Sequence, residues 1–127
     1  MQYLILGAGG YIGSYLYERM LADGKDVTGT RHMHAASGSC LYYDILKDEI
    51  QPVIDSIKGP GKTAVMCIAQ ADINRCMEDY SLAYEINVVR TKQLLRELRK
   101  NGFYTIYFST DNVFDGEEGN YTEDSGT

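Results

Sequence analysis

Directly after the apolar run Tyr3 to Leu6, the segment Gly7-Ala8-Gly9-Gly10-Tyr11-Ile12-Gly13 sets glycines three apart at positions 7, 10 and 13. Backbone N–H groups at a helix N-terminus can approach a phosphate closely only where no side chain intervenes, so such a turn can seat the pyrophosphate of a dinucleotide. Gly7, Gly10 and Gly13, with Tyr11 and Ile12 between them, are the candidate cofactor-binding positions of this turn. A second run, Val27-Thr28-Gly29-Thr30-Arg31, ends on a guanidinium. At the tip of that strand an acidic residue bonds the ribose hydroxyls of NAD, whereas an arginine can pair with the 2′-phosphate of NADP. NADP is therefore the expected cofactor, with NAD as the other candidate. His32 and His34 follow without a third ligand type at suitable spacing, so no metal is expected.

Further along, Asp44 stands just past Cys40-Leu41-Tyr42-Tyr43, where its carboxylate either caps the helix that begins near Lys47 or, with Ile45, faces the cofactor. Cys67, Ile68 and Ala69, at the tip of the apolar run Val65 to Ala69, would let a ribose lie against the backbone, and buried-strand packing accounts for the same residue types. Asn87 is an amide among apolar neighbours in Tyr84-Glu85-Ile86-Asn87-Val88-Val89 and must find hydrogen-bond partners or face water. The run Ile106-Tyr107-Phe108-Ser109-Thr110-Asp111 ends in hydroxyl and carboxylate groups suited to polar substrate contacts or to capping a turn.

The elements that position these residues alternate along the chain. Strands are predicted near 2–6, 26–30, 40–43, 63–69 and 104–109, and helices near 11–23, 48–58 and 79–100, with Gly24, Gly59-Pro60-Gly61 and Gly102 as punctuation. Ile12, Leu16, Met20 and Leu21 mark the apolar face of the first helix. Leu82, Ile86, Val89, Leu94 and Leu98 mark that of the third, whose Arg90, Lys92, Arg96, Arg99 and Lys100 make a solvated basic side. Residues 116–127 read as an acidic, glycine-rich loop. The fold class is α/β: a three-layer, doubly wound parallel sheet.

The 127 residues, with a net charge of −6, fit one domain. That charge argues against a nucleic-acid surface, which needs clustered Lys and Arg. Neither a secretion signal nor an apolar run of about 20 residues is present, so no membrane partner and a cytoplasmic location are expected. Cys40, Cys67 and Cys76 lack the spacing of zinc or redox pairs and read as reduced, mostly buried thiols.

The common dinucleotide fingerprint places glycines first, third and sixth, and here Ile12 holds the sixth place counted from Gly7. The three-apart spacing instead resembles the short-chain dehydrogenase/reductase superfamily, in particular its extended branch, a Rossmann fold acting on nucleotide sugars. The stretch Ser109-Thr110-Asp111-Asn112-Val113-Phe114-Asp115-Gly116, followed by Tyr121-Thr122-Glu123-Asp124 and preceded by Leu82-Ala83-Tyr84 and Asn87, narrows the resemblance to the dTDP-4-dehydrorhamnose reductase family over essentially the whole chain. The resemblance implies that Thr110 bonds the substrate carbonyl oxygen, and that Asp111 helps seat a nucleotide-sugar substrate. It further implies that Asp44 accepts the adenine amino group, that Phe108 lines the cofactor site, and that Asn87 braces the active-site strand. Asn112 replaces a usual tyrosine, and Gln70 a common aromatic or histidine.

The family's catalytic tyrosine, with a lysine four positions later, finds no match after Thr110, where the only tyrosine, Tyr121, is followed at that distance by Ser125. The pair is expected just past Thr127, together with a C-terminal substrate lobe. The chain thus reads as a truncated, cofactor-binding portion that does not turn over alone, and its uncovered sheet is expected to self-associate or to pair with the missing C-terminal segment. An epimerase or dehydratase fragment, and a non-catalytic reductase-like regulatory module, are the alternative readings.

Overall fold

A computed structural model describes residues 1–34, 38 and 40–126. Five strands, β1 (Gln2–Leu6), β2 (Asp26–Arg31), β3 (Cys40–Tyr42), β4 (Lys62–Met66) and β5 (Phe103–Tyr107), pair in parallel in the order β3-β2-β1-β4-β5. The helices are α1 (Tyr11–Ala22), α2 (Gln51–Asp55), α3 (Ile73–Glu78), α4 (Tyr80–Tyr84) and α5 (Thr91–Lys100), with a π-helical stretch, Glu85–Arg90, joining the last two. The winding reverses between β1 and β4, which is the predicted doubly wound topology. In such sheets the crevice for ligands opens beyond the carboxyl ends of the strands at that reversal.

Alternate residues of the central strands feed two cores. Leu4, Leu6, Ala64 and Met66 pack with Val53, Ile54, Leu94 and Leu98 from α2 and α5. On the other face Ile5 and Val65 meet Tyr17, with Leu16 and Met20 of α1 at the margin. Burial on both faces explains why β1 and β4 read as continuous apolar runs instead of alternating ones. Among the described residues no helix is long and apolar enough to cross a membrane.

Several predicted boundaries shift. Helix α1 buries Gly13 and Tyr17, while Ile12 and Leu21 are 56% and 42% exposed; the helix is rotated because Gly13 must face the turn beneath it. The predicted 48–58 helix shortens to α2, and Pro52 sets its start, since its ring cannot follow a helical carbonyl four residues earlier. Helix α3 stands in a stretch where no helix was expected, and α4 begins at Tyr80, where the predicted 79–100 helix starts. They are separated by a fresh cap, Asp79, whose Oδ1 accepts the Leu82 N–H at 2.9 Å. Strand β4 ends at Met66, short of the predicted residue 69. Cys67 N–H still donates to the Leu6 carbonyl at 2.8 Å, but β1 turns away at Gly7 and leaves the next residues without a ladder partner. Strand β5 stops at Tyr107 beside it, short of residue 109. The three thiols, expected to be mostly buried, are each half-buried.

Candidate functional site

The glycine turn is held from below by β2. Gly7 N–H donates to Thr30 Oγ1 at 3.0 Å, Ala8 N–H to the Thr30 carbonyl at 2.7 Å, and Gly10 N–H to the Gly7 carbonyl at 3.0 Å. Gly7 has φ +90°, the region that favours glycine. A Cβ on Gly13 would lie 2.1 Å from the Gly7 oxygen, and one on Gly9 would lie 2.8 Å from the His34 carbonyl oxygen. A Cβ on Gly10, by contrast, would meet only the Gly7 oxygen, at 3.4 Å. Gly7 and Gly13 are thus required by the fold itself, whereas the chain leaves Gly10 free to carry a side chain. No side chain caps α1, whose N-cap is Gly10. The first-turn amides of Tyr11 and Ile12 therefore have no intrahelical carbonyl to bond and stay open to an anion. The Tyr11 side chain itself is 96% exposed, so only its backbone serves the turn.

Above the turn lies a groove of about 440 Å³ that gathers Gly7, Gly10, Arg31, Asp44 and Ile45 on one side and Cys67, Ile68 and Ala69 on the other. Eight of the predicted site residues meet here, from the tips of β1, β2, β3 and β4. Arg31 is half-buried and forms no ion pair with another described residue. Burial pushes the Cys67 thiol up to about 11, so it lines the wall as a neutral group. Sequence reading passed over Thr30, Gly9, Arg75, Leu82 and Ile86, all of the groove or its floor. For Thr30 the signal was available, because a hydroxyl at the tip of a buried parallel strand needs a partner.

Asp44 is buried in the groove wall, and its carboxylate holds a turn. Oδ1 accepts the Leu46 N–H at 2.9 Å, and Oδ2 lies 3.4 Å from His32 Nε2 and 3.5 Å from Lys47 Nζ. The Asp44 carbonyl accepts the Lys47 and Asp48 N–H groups, which makes a turn; the helix proper waits until Gln51.

Asn87 sits in the π-helical stretch with its amide against one peptide. Its Nδ2 donates to the Gln70 carbonyl at 2.9 Å and its Oδ1 accepts the Gln70 N–H at 2.8 Å. It therefore clamps the loop leaving β4, the same loop that carries Ile68 and Ala69 into the groove.

Phe108, Thr110 and Asp111 lie outside the groove, past the end of β5. Thr110 Oγ1 caps a single 3₁₀ turn, Asp111–Val113, by accepting the Asn112 N–H at 3.2 Å. The loop beyond has its own packing: Phe114 and Tyr121 stack with centroids 4.6 Å apart, and the Tyr121 hydroxyl donates to Asp115 Oδ1. That bond, with the Glu117 N–H, holds the Asp115 carboxyl below its usual range.

The family described as the RmlD substrate binding domain matches residues 1–127. A dTDP-4-dehydrorhamnose reductase of Mycobacterium tuberculosis is 30% identical over 116 residues, which is 91% of this chain and 34% of that protein. The crystal structure of a hypothetical dTDP-4-dehydrorhamnose reductase from Sulfolobus tokodaii superposes with a TM-score of 0.80 at 28% identity, covering 98% of this chain and 45% of the other. MoeE5 in complex with UDP-glucose and NAD shares the fold with a TM-score of 0.81 at 22% identity, over 98% of this chain and 42% of its own length. The chain thus spans less than half the length of each of these relatives.

Proposed function

The chain belongs to the RmlD substrate binding domain family, and we propose that residues 1–127 bind a nicotinamide dinucleotide as the cofactor portion of a sugar-nucleotide reductase. The observation that carries this reading is the convergence of four strand tips on one groove whose floor is the open N-terminus of α1. The uncapped amides would hold the diphosphate, the small loop after β4 would admit the nicotinamide-side ribose, and Asp44 would face the adenine. Arg31 favours NADP, because a guanidinium without a carboxylate partner among the described residues suits a 2′-phosphate.

When bound, a reduced nicotinamide supplies hydride. Thr110, at the exit of the neighbouring strand, is proposed to orient the keto oxygen of a nucleotide sugar and Asp111 to help seat it. After Thr110 these residues offer no proton donor of the tyrosine-lysine kind, since the one tyrosine there, Tyr121, has Ser125 four positions later. The proposed role of this stretch alone is therefore binding without turnover. Three half-buried cysteines without disulfide spacing suit a reducing compartment such as the cytoplasm.

Isothermal calorimetry of NADPH and NADH into the folded chain tests the proposal. Saturable micromolar binding of at least one dinucleotide is expected. A chain with native circular dichroism that binds neither would overturn it, and a clear preference for NADH would favour an epimerase-like portion over a reductase-like one.

A further inference from the structure

Helix α3 has no buried side chain, and its apolar residues Ile73 and Met77 are 68% and 78% exposed. The packing of an apolar face, from which most helices in proteins draw their stability, therefore does not hold it. Hydrogen bonds to the loop leaving β4 do. Asp72 Oδ1 caps the helix by accepting the Arg75 N–H at 3.1 Å, and the Cys76 thiol donates to the Gln70 carbonyl at 3.3 Å. The Gln70 peptide is itself clamped by Asn87, at 2.8 and 2.9 Å. The backbone of Arg75 is thus tied to the groove wall, whereas its side chain lines the groove, is exposed, and forms no ion pair with another described residue. Of the described residues that line the groove, Arg31 and Arg75 are the arginines and Asp44 is the one carboxylate. That is a local excess of positive charge in a chain whose net charge is −6.

We infer that Arg75 is a latch: when a dinucleotide occupies the groove, this guanidinium pairs with the diphosphate, and α3 is the arm that carries it there. The inference rests on the dinucleotide reading above and deepens it, by assigning a second cation to the ligand and a purpose to a helix that buries no side chain. The uncapped amides of Tyr11 and Ile12 meet a diphosphate only in part, since a helix N-terminus is equivalent to about half a charge. A guanidinium adds a full charge and a fork of donors that fits two phosphate oxygens. Fixing so long a side chain costs rotamer entropy, and the cost is incurred only with ligand present, because the free arm leaves Arg75 in solvent. Arg31, at the tip of β2, serves the 2′-phosphate, so the two arginines differ in which dinucleotides they strengthen.

The test is calorimetry of NADPH and NADH into the 127-residue chain, Arg75→Gln and Arg75→Lys, joined to amide hydrogen exchange of α3 with and without saturating NADH. Arg75→Gln keeps a planar polar group and removes the charge. It is expected to weaken both dinucleotides by about tenfold, the size of one charge-assisted hydrogen bond, and equally, because they share the diphosphate. Arg75→Lys, which keeps the charge, is expected to stay within about threefold of the unmutated chain. In the unmutated chain NADH should slow exchange at the Cys76 and Asp79 amides, which donate to the Asp72 and Arg75 carbonyls at 3.0 Å each, and in Arg75→Gln it should not. The inference is overturned if Arg75→Gln binds NADH as the unmutated chain does, if its loss is confined to NADPH, if Arg75→Lys falls as far as Arg75→Gln, or if NADH slows exchange in α3 equally with and without the guanidinium. Failure of the unmutated chain to bind either dinucleotide is a separate result, which removes the dinucleotide reading and this inference with it.

Discussion

The carbonyl oxygen of Gly7 lies where the Cβ of any other residue at position 13 would have to be, 2.1 Å from that point. Helix α1 and the glycine turn therefore meet backbone to backbone, and the spacing of three and three has two different causes. Gly13→Ala must push the helix off the turn, a destabilisation of about 3 kcal/mol or more in urea unfolding. Gly10 has an ordinary extended backbone, φ −85° and ψ 172°. Gly10→Ala is expected to change stability by less than about 0.5 kcal/mol while weakening dinucleotide binding at least tenfold, as a methyl group enters the phosphate path. Equal effects of the two substitutions on stability would contradict this division.

Asn87 and the Gln70 peptide form a closed pair of hydrogen bonds, 2.8 and 2.9 Å long, and Cys76 Sγ also donates to the Gln70 carbonyl at 3.3 Å. The widened helix there is stabilised by Thr91 Oγ1, which donates to the Ile86 carbonyl five residues back at 2.9 Å. Such π-helical turns are uncommon and recur at functional sites. Asn87→Leu leaves the half-buried Gln70 N–H unpaired and its carbonyl with only the Cys76 thiol, and is expected to cost about 1–3 kcal/mol. Amide exchange at Gln70 should accelerate, with the β1 and β2 amides unchanged. Retained protection at Gln70 would show that the clamp does not hold the loop.

Much of this architecture was legible because parallel strands buried on both faces leave unbroken apolar runs, and because Gly7, Gly24 and Gly102 punctuate them. What escaped depended on three-dimensional neighbours. The end of β4 is set by β1 turning away at Gly7, not by any residue of β4 itself. The rotation of α1 follows from the Gly13 contact, which outranks the apolar pattern of Ile12 and Leu21. The π-helical stretch interrupts a run that reads as one helix, because a local change of hydrogen-bond spacing leaves the apolar pattern intact, and α3, six residues long with none buried, carries no apolar face to read. Within the groove, residues flagged by type at strand tips gathered as the topology requires. Thr30 went unassigned, since its role lies in a bond to Gly7, more than ten positions away.

Burial raises two groups on the groove side of the sheet, and both make the protein sensitive to alkali. Tyr43 is pushed up to about 12, chiefly by burial, with Asp48 adding to the rise and Arg90 opposing it. In the unfolded chain the phenol ionises near 10, so between about pH 10 and 12 the folded state holds a proton that the unfolded state has lost. Stability is then full below pH 10 and falls as pH rises towards 12. Tyr43→Phe should flatten that part of the profile. Cys67, raised by burial alone to about 11, has about 100-fold less thiolate at pH 8 than an ordinary cysteine. Alkylation followed by peptide mass spectrometry should find it far slower in the native chain than in urea, and equal rates would show the thiol to be unshielded.

The proposed preference for NADP rests on the charge and shape of Arg31. Its guanidinium sits at the groove margin beside the turn and has no carboxylate partner among the described residues, so a 2′-phosphate would meet two parallel donors without displacing an existing pair. Arg31→Asp replaces that contact with repulsion towards NADPH and offers an acceptor pair to the free ribose hydroxyls of NADH. NADPH affinity is expected to fall by about 30-fold or more, the loss of a charge-assisted bidentate contact, while NADH affinity holds or rises. Arg31→Lys keeps the charge but loses the fork, and should fall between. Increasing salt should weaken NADPH binding to the unmutated chain more steeply than NADH binding, since only the former gains from this exposed margin of positive charge. Parallel losses for both cofactors in Arg31→Asp would mean that the arginine supports the turn rather than reading the phosphate.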